Sequence, residues 1–152
     1  MGGILAPGQL APDFETRDQN GNVVSLKSAR GHPVVLYFYA KDDTPGCTAE
    51  ACSFRDSMDI LRKRGAVILG VSVDSEESHR RFASRHNLNF TLLSDREKTI
   101  VRAYGVERPF KTAKRVTYLI GPDGVIKYVF TRVNTSTHAA DVLKKLEELK
   151  LV

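Results

Sequence analysis

The chain has 152 residues, 41% apolar and 27% charged, with two cysteines and a formal charge of +5 from 23 Lys and Arg against 18 Asp and Glu. That composition suits one domain with a sizeable core, and two cysteines are too few for a secreted disulfide scaffold. The N-terminus from Met1 to Gly8 lacks a signal-peptide pattern, and no run reaches the ~18 apolar residues of a membrane span, so a cytoplasmic protein without a membrane partner is expected.

In chain order, Phe14 to Arg17 and Asn22 to Ser25 read as a hairpin around Asn20-Gly21, a pair that favours the positive φ of a tight turn. Pro33 to Ala40 is a β-branched and aromatic run, the pattern of a strand buried on both faces, and Ala66 to Val73 is a second. Between them Thr44 stands as an N-cap, Pro45 fits the first helical position, and a helix follows. Ser75 to Asn87 is a helix capped by Ser75, Phe90 to Leu93 a short strand, and Asp95 to Tyr104 a helix capped by Asp95 and ended by Gly105. Arg115 to Ile120 and Val125 to Phe130 form a hairpin. Thr135 or Ser136 opens a last helix, with Ala139, Val142, Leu143, Leu146 and Leu149 at helical spacing. The order predicts one α/β domain over residues 1–152, a central mixed sheet flanked by helices with an N-terminal β-hairpin. Basic residues such as Arg62-Lys63-Arg64, Arg80-Arg81, Lys111 and Lys144-Lys145 are dispersed rather than blocked, so nucleic acid is not an expected partner.

The chemistry gathers in Thr44-Pro45-Gly46-Cys47-Thr48-Ala49-Glu50-Ala51-Cys52, which holds both cysteines. Cys47 falls in the first turn of a helix that follows a strand, where unpaired N–H groups and the helix dipole favour a negative charge. Cys47, Ala51, Phe54, Met58 and Leu61 recur at spacings of four and three, which turns the Cys47 thiol inward. Cys52 lies about 140° round the helix, with its Cα about 8.5 Å from that of Cys47. A disulfide needs about 7 Å or less, so the two sulfurs can join only if the first turns unwind. Zinc ligation needs more than two cysteines at this spacing. His32, His79, His86 and His138 are scattered along the chain, and no metal or cofactor is expected.

The segment Tyr37 to Cys52 resembles the active site of peroxiredoxins, above all the bacterioferritin-comigratory (peroxiredoxin Q) subfamily. Ala11-Pro12-Asp13-Phe14, Gly70 to Ser75 and Arg115 to Ile120 resemble further strands of that family, so nearly the whole chain is covered. The resemblance implies a thioredoxin-like fold and a thiol-dependent peroxidase acting on hydrogen peroxide and organic hydroperoxides. It implies Cys47 as peroxidatic nucleophile, Cys52 as resolving thiol through an intramolecular disulfide, Thr44 as the hydroxyl that orients peroxide, and Arg115 as the stabilising cation. The backbone of Pro45, Gly46 and Cys47 would bind substrate, thioredoxin or a similar dithiol would be the reductant, and the subfamily points to a monomer. Ala40 departs from the family's usual proline four residues before the threonine, and the loop Val106 to Lys114 is shorter than is common. The alternative use of the same thiol pair is a redox-switched signalling or holdase protein.

Overall fold

The computed structural model describes residues 3–110 and 112–152; Met1, Gly2 and Lys111, expected in the terminal segment and the loop at 106–114, lie outside them. Among the described residues nine strands and four α-helices follow in chain order: β1 (Glu15–Asp18), β2 (Val23–Ser25), β3 (Val34–Phe38), α1 (Pro45–Lys63), β4 (Val67–Ser72), α2 (Glu76–His86), β5 (Thr91–Ser94), α3 (Thr99–Ala103), β6 (Glu107–Arg108), β7 (Thr112–Ala113), β8 (Val116–Ile120), β9 (Ile126–Phe130) and α4 (His138–Glu148). Seven strands form one mixed sheet in the order β2-β1-β5-β4-β3-β8-β9. Its centre is parallel, β3 with β4 and β4 with β5, while β8 and β1 run antiparallel to their neighbours.

The β3 run fails to alternate in polarity because both faces of the sheet are covered. Val35, Tyr37 and Tyr39 enter one core with Ala51, Phe54, Leu61, Phe82, Val142 and Leu146 from α1, α2 and α4. Val34, Leu36 and Phe38 enter a second core with Ile100, Val101 and Tyr104 around α3. Odd and even residues of one strand thus serve opposite layers, as the two-residue period requires. Gly70 pairs with Tyr37 across β3 and β4, and a Cβ there would stand 2.8 Å from the Tyr37 ring, so the smallest residue admits a large one beside it.

Several boundaries move. Asp95 does cap a helix, but from a distance: its carboxylate accepts from the N–H groups of Ile100 and Val101 at 3.2 and 2.8 Å, and the helix begins only at Thr99. The intervening residues make a turn closed by the Lys98 N–H on the Asp95 carbonyl. The last helix starts at His138, later than expected. Thr137 occupies its N-cap, with its hydroxyl given to Asp141 rather than to the backbone. The 106–114 stretch, expected as a loop, carries the short ribbon β6–β7. The N-terminal hairpin β1–β2 is present, and β1 also pairs with β5, so the hairpin extends the sheet.

Candidate active site

The carboxyl end of β3 delivers the chain through residues 39–44 into the N-terminus of α1. Thr44 is extended at φ −89° and ψ 152°, Pro45 opens the helix, and both cysteines lie inside one unbroken helix to Lys63. Thr44 differs from expectation in one respect. Its hydroxyl makes no cap bond to the helix; it donates to the Lys41 carbonyl at 2.8 Å. The N–H of Thr48 bonds the Thr44 carbonyl, while those of Gly46 and Cys47 lie in the first turn, where no helical acceptor exists. Pro45 has no N–H, so the expected backbone cradle loses one donor there and rests on Gly46 and Cys47.

The buried face of α1 is Cys47, Glu50, Ala51, Phe54, Met58 and Leu61, the predicted stripe with one addition. Cys47 is 1% exposed, and Cys52 is partly exposed off the stripe; both are free thiols. Arg115 stands one residue ahead of β8, which pairs with β3 and so brings it over the α1 N-terminus. Its Nη2 donates to the Cys47 Sγ at 3.3 Å and its Nη1 to Glu50 Oε1 at 2.8 Å. Burial works against the guanidinium charge, but Glu50 and Cys47 outweigh it and hold the Arg115 pKa above its ordinary value. Gly46 leaves room for this arrangement, since a Cβ there would lie 3.1 Å from Arg115 Nη2. Cys47, Thr44 and Arg115 therefore converge on one helix end, and Cys52 remains apart.

Glu50 is the residue that sequence reading missed. Its carboxyl is wholly buried, which pushes its pKa up to about 7 although Arg115 pulls it down. A signal existed: an acid at position 50 falls three residues after Cys47, on the apolar stripe. His138 was also missed. It lies 3.8 Å from Glu50 through Nε2, with the same nitrogen 2.8 Å from the Thr117 hydroxyl. Burial holds the His138 pKa down to about 4, so the ring is neutral at pH 7. The next residue, Ala139, gives its N–H to Ser53 Oγ, and Ser53 in turn bonds the Glu50 carbonyl, so α4 is tied to the second turn of α1.

A second histidine lies on the other flank. His79 Nδ1 is 2.7 Å from Asp42 Oδ2, and His79 Nε2 is 3.0 Å from the Leu93 carbonyl. Asp42 also accepts from the Tyr39 and Ser78 hydroxyls, and Asp74 accepts from Ser72 and from the Asp42 N–H. Asp42, Asp74 and His79 offer ligand atoms within 4.8 Å of one another. All three groups are already engaged in hydrogen bonds, which is the pattern of an anchor rather than of an open metal site. His79 and His138 thus each sit beside a buried carboxylate, on separate flanks.

An AhpC/TSA family model matches residues 7–129. The chain is 44% identical over 146 residues to a putative peroxiredoxin bcp of Coxiella burnetii, covering 91% of this chain and 97% of the relative. It is 44% identical over 151 residues to peroxiredoxin Bcp of Escherichia coli K12, covering 95% and 97%. Among solved structures it resembles peroxidoxin BcpB of Mycobacterium tuberculosis, with a TM-score of 0.89 at 33% identity over 94% of this chain and 97% of that one. It also resembles a bacterioferritin comigratory protein of Xanthomonas campestris, whose structures concern its alkyl peroxide reduction activity, with a TM-score of 0.83 at 33% identity over 90% and 91%. A thioredoxin-like sheet with a buried thiol at a helix N-terminus and matching relatives over nearly its full length lead to one conclusion. The chain belongs to the AhpC/TSA family, among its Bcp and peroxiredoxin Q peroxiredoxins.

Proposed function

We propose that this thiol peroxidase uses Cys47 as its nucleophile, Arg115 and the free first-turn N–H groups as its charge-stabilising frame, and Cys52 as its resolving thiol. The observation that carries the reading is the 3.3 Å contact of Arg115 Nη2 with Cys47 Sγ at the start of α1. A guanidinium and a helix N-terminus both favour thiolate over thiol. The thiolate attacks one peroxide oxygen, an S–O bond forms, the O–O bond breaks, and alkoxide or hydroxide leaves with the electron pair. Charge then grows on the departing oxygen, where Arg115 and the N–H groups of Gly46 and Cys47 act like an oxyanion hole. Protonation gives water or an alcohol, and Cys47 is left as a sulfenic acid.

Thr44 contributes through what its hydroxyl cannot do. Its single proton is committed to the Lys41 carbonyl, so Oγ1 is left to accept, and a hydroperoxide O–H is the donor that suits it. Cys52 then displaces water from the sulfenic acid to form an intramolecular disulfide, once α1 has unwound locally. Thioredoxin or a similar dithiol returns both thiols by exchange, which makes a reducing, cytoplasmic setting part of the proposal. Because both sulfurs belong to one helix, a monomer suffices, and no cofactor, membrane or nucleic acid enters the cycle.

Mass spectrometry after one equivalent of peroxide tests the pairing, and a Cys47–Cys52 disulfide is the expected product. Cys47→Ser should abolish peroxide consumption. Cys52→Ser should keep the first turnover and lose recycling by thioredoxin. Full turnover by the Cys47 variant would refute the assignment.

A further inference from the structure

Beneath the reacting sulfur lies a buried pair in which two polar atoms, Glu50 Oε2 and His138 Nδ1, have no hydrogen-bond partner among the described residues. Such orphans are costly and uncommon in protein interiors. Glu50 Oε1 is satisfied by Arg115, so one half of the carboxylate is anchored and the other half is bare. His138 is held at the α4 N-terminus between the rings of Phe54 and Phe130, edge to face at 5.4 and 5.2 Å between centroids.

Hydrogen-bond accounting fixes the tautomer. A neutral imidazole has one N–H, and placing it on Nδ1 would bury a donor with nothing to receive it. On Nε2 it meets Thr117 Oγ1 at 2.8 Å, and the next acceptor is Glu50 Oε2 at 3.8 Å. A shift of about 1 Å would bring that N–H into bonding range of the carboxylate. We propose that His138 is a positioning residue of the peroxidase: its Nε2–H serves Glu50 Oε2, and through Glu50 it holds the Arg115 guanidinium against the Cys47 sulfur. The proposal rests on the peroxidase reading above.

Charged and titratable groups face this carboxyl from each packed element: Cys47 from α1, Tyr37 from β3, Arg115 from the approach to β8, and His138 from α4 with Asp141 beyond it. Arg115 already gives Glu50 its Nη1, and Tyr37 has its hydroxyl unpartnered and its pKa driven up by burial. In this proposal the imidazole N–H, 3.8 Å from Glu50 Oε2, is the donor that sets how readily Glu50 ionises. Ionised Glu50 grips Arg115 Nη1 through a charge-assisted hydrogen bond, whereas neutral Glu50 holds the guanidinium less firmly against the sulfur.

Stopped-flow oxidation of the fully reduced protein by hydrogen peroxide, followed from pH 5 to 9, tests this. The wild-type profile should contain an inflection that Glu50→Gln removes, assigning it to Glu50. His138→Leu should lower the rate about tenfold, the size expected for one buried hydrogen bond left unmade, and move that inflection to higher pH. His138→Gln keeps an N–H donor and should restore both rate and inflection towards wild type. An unmoved inflection in a folded His138→Leu protein would overturn the proposal, as would loss of rate in His138→Gln equal to that in His138→Leu. A wild-type protein that consumes no peroxide would instead sink the peroxidase reading itself.

Discussion

The active-site turn is flanked by two buried carboxylate–histidine pairs that differ in completeness. On one side Asp42 and His79 are bonded at every polar side-chain atom, with Tyr39, Ser78 and Leu93 as further partners. His79 Nε2 must donate to the Leu93 carbonyl and Nδ1 lies 2.7 Å from Asp42, so that second contact also holds a proton from one partner or the other. On the other side Glu50 and His138 stand 3.8 Å apart with an orphaned atom on each. A carboxylate and a histidine do different work on the two sides because of this. A closed network fixes the 39–44 segment in one geometry, while an open one can change its proton count without dismantling the fold.

The comparison is broken most forcefully at Asp42. Asp42→Ala leaves His79, Tyr39 and Ser78 without their shared acceptor and should cost about 3 kcal/mol, the upper range for a buried polar group left unsatisfied. Denaturant titration reads this as a lower midpoint, and a loss near zero would mean that the flank is not an anchor.

The Glu50 side is sharpened by stability against pH. Glu50 has its folded pKa raised from 4.5 to about 7, so the folded state holds more protons in that window and stability is lost as pH rises through it. His138 has its folded pKa lowered from 6.5 to about 4, so stability is lost as pH falls through that window. In the wild type the two slopes oppose each other between about pH 4.5 and 6.5. Glu50→Gln should leave stability rising with pH from 4 to 6.5, and His138→Leu should leave it falling from 4.5 to 7. Parallel curves for the two variants would contradict the opposed burial effects.

The smallest effect is expected at Gly46. A Cβ there presses on the movable tip of Arg115 at 3.1 Å, so the guanidinium must give way by tenths of an ångström. Gly46→Ala should slow peroxide reduction about threefold, small beside the ~100-fold that a 1 Å misplacement costs. Stability should hold or rise, since alanine is the better helix former. A parallel loss of stability would show that the crowding falls on the backbone instead.

Most of the frame was legible because periodicity and caps are local. The stripe through Cys47, Ala51, Phe54, Met58 and Leu61 and the Ser75 cap, whose hydroxyl accepts the Ser78 N–H at 3.1 Å, follow from spacing alone. Arg115 was placed by family resemblance rather than by pattern, since nothing local says that β8 will lie beside β3. The partners of Asp42 and Glu50 escaped for the same reason. His79, His138 and Thr117 come from other elements, and only the sheet order brings them to the thiol. Thr44 escaped in a subtler way: its backbone is that of an N-cap, while its hydroxyl serves Lys41.

The bond from the Ala139 N–H to Ser53 Oγ has a mechanical side. Ser53 directly follows Cys52 in the chain, so any uncoiling that lets the two sulfurs meet pulls on the first turn of α4. On the proposed cycle α4 would therefore follow the oxidation state of Cys47, and a dye near residue 138 would register each turnover from a distance.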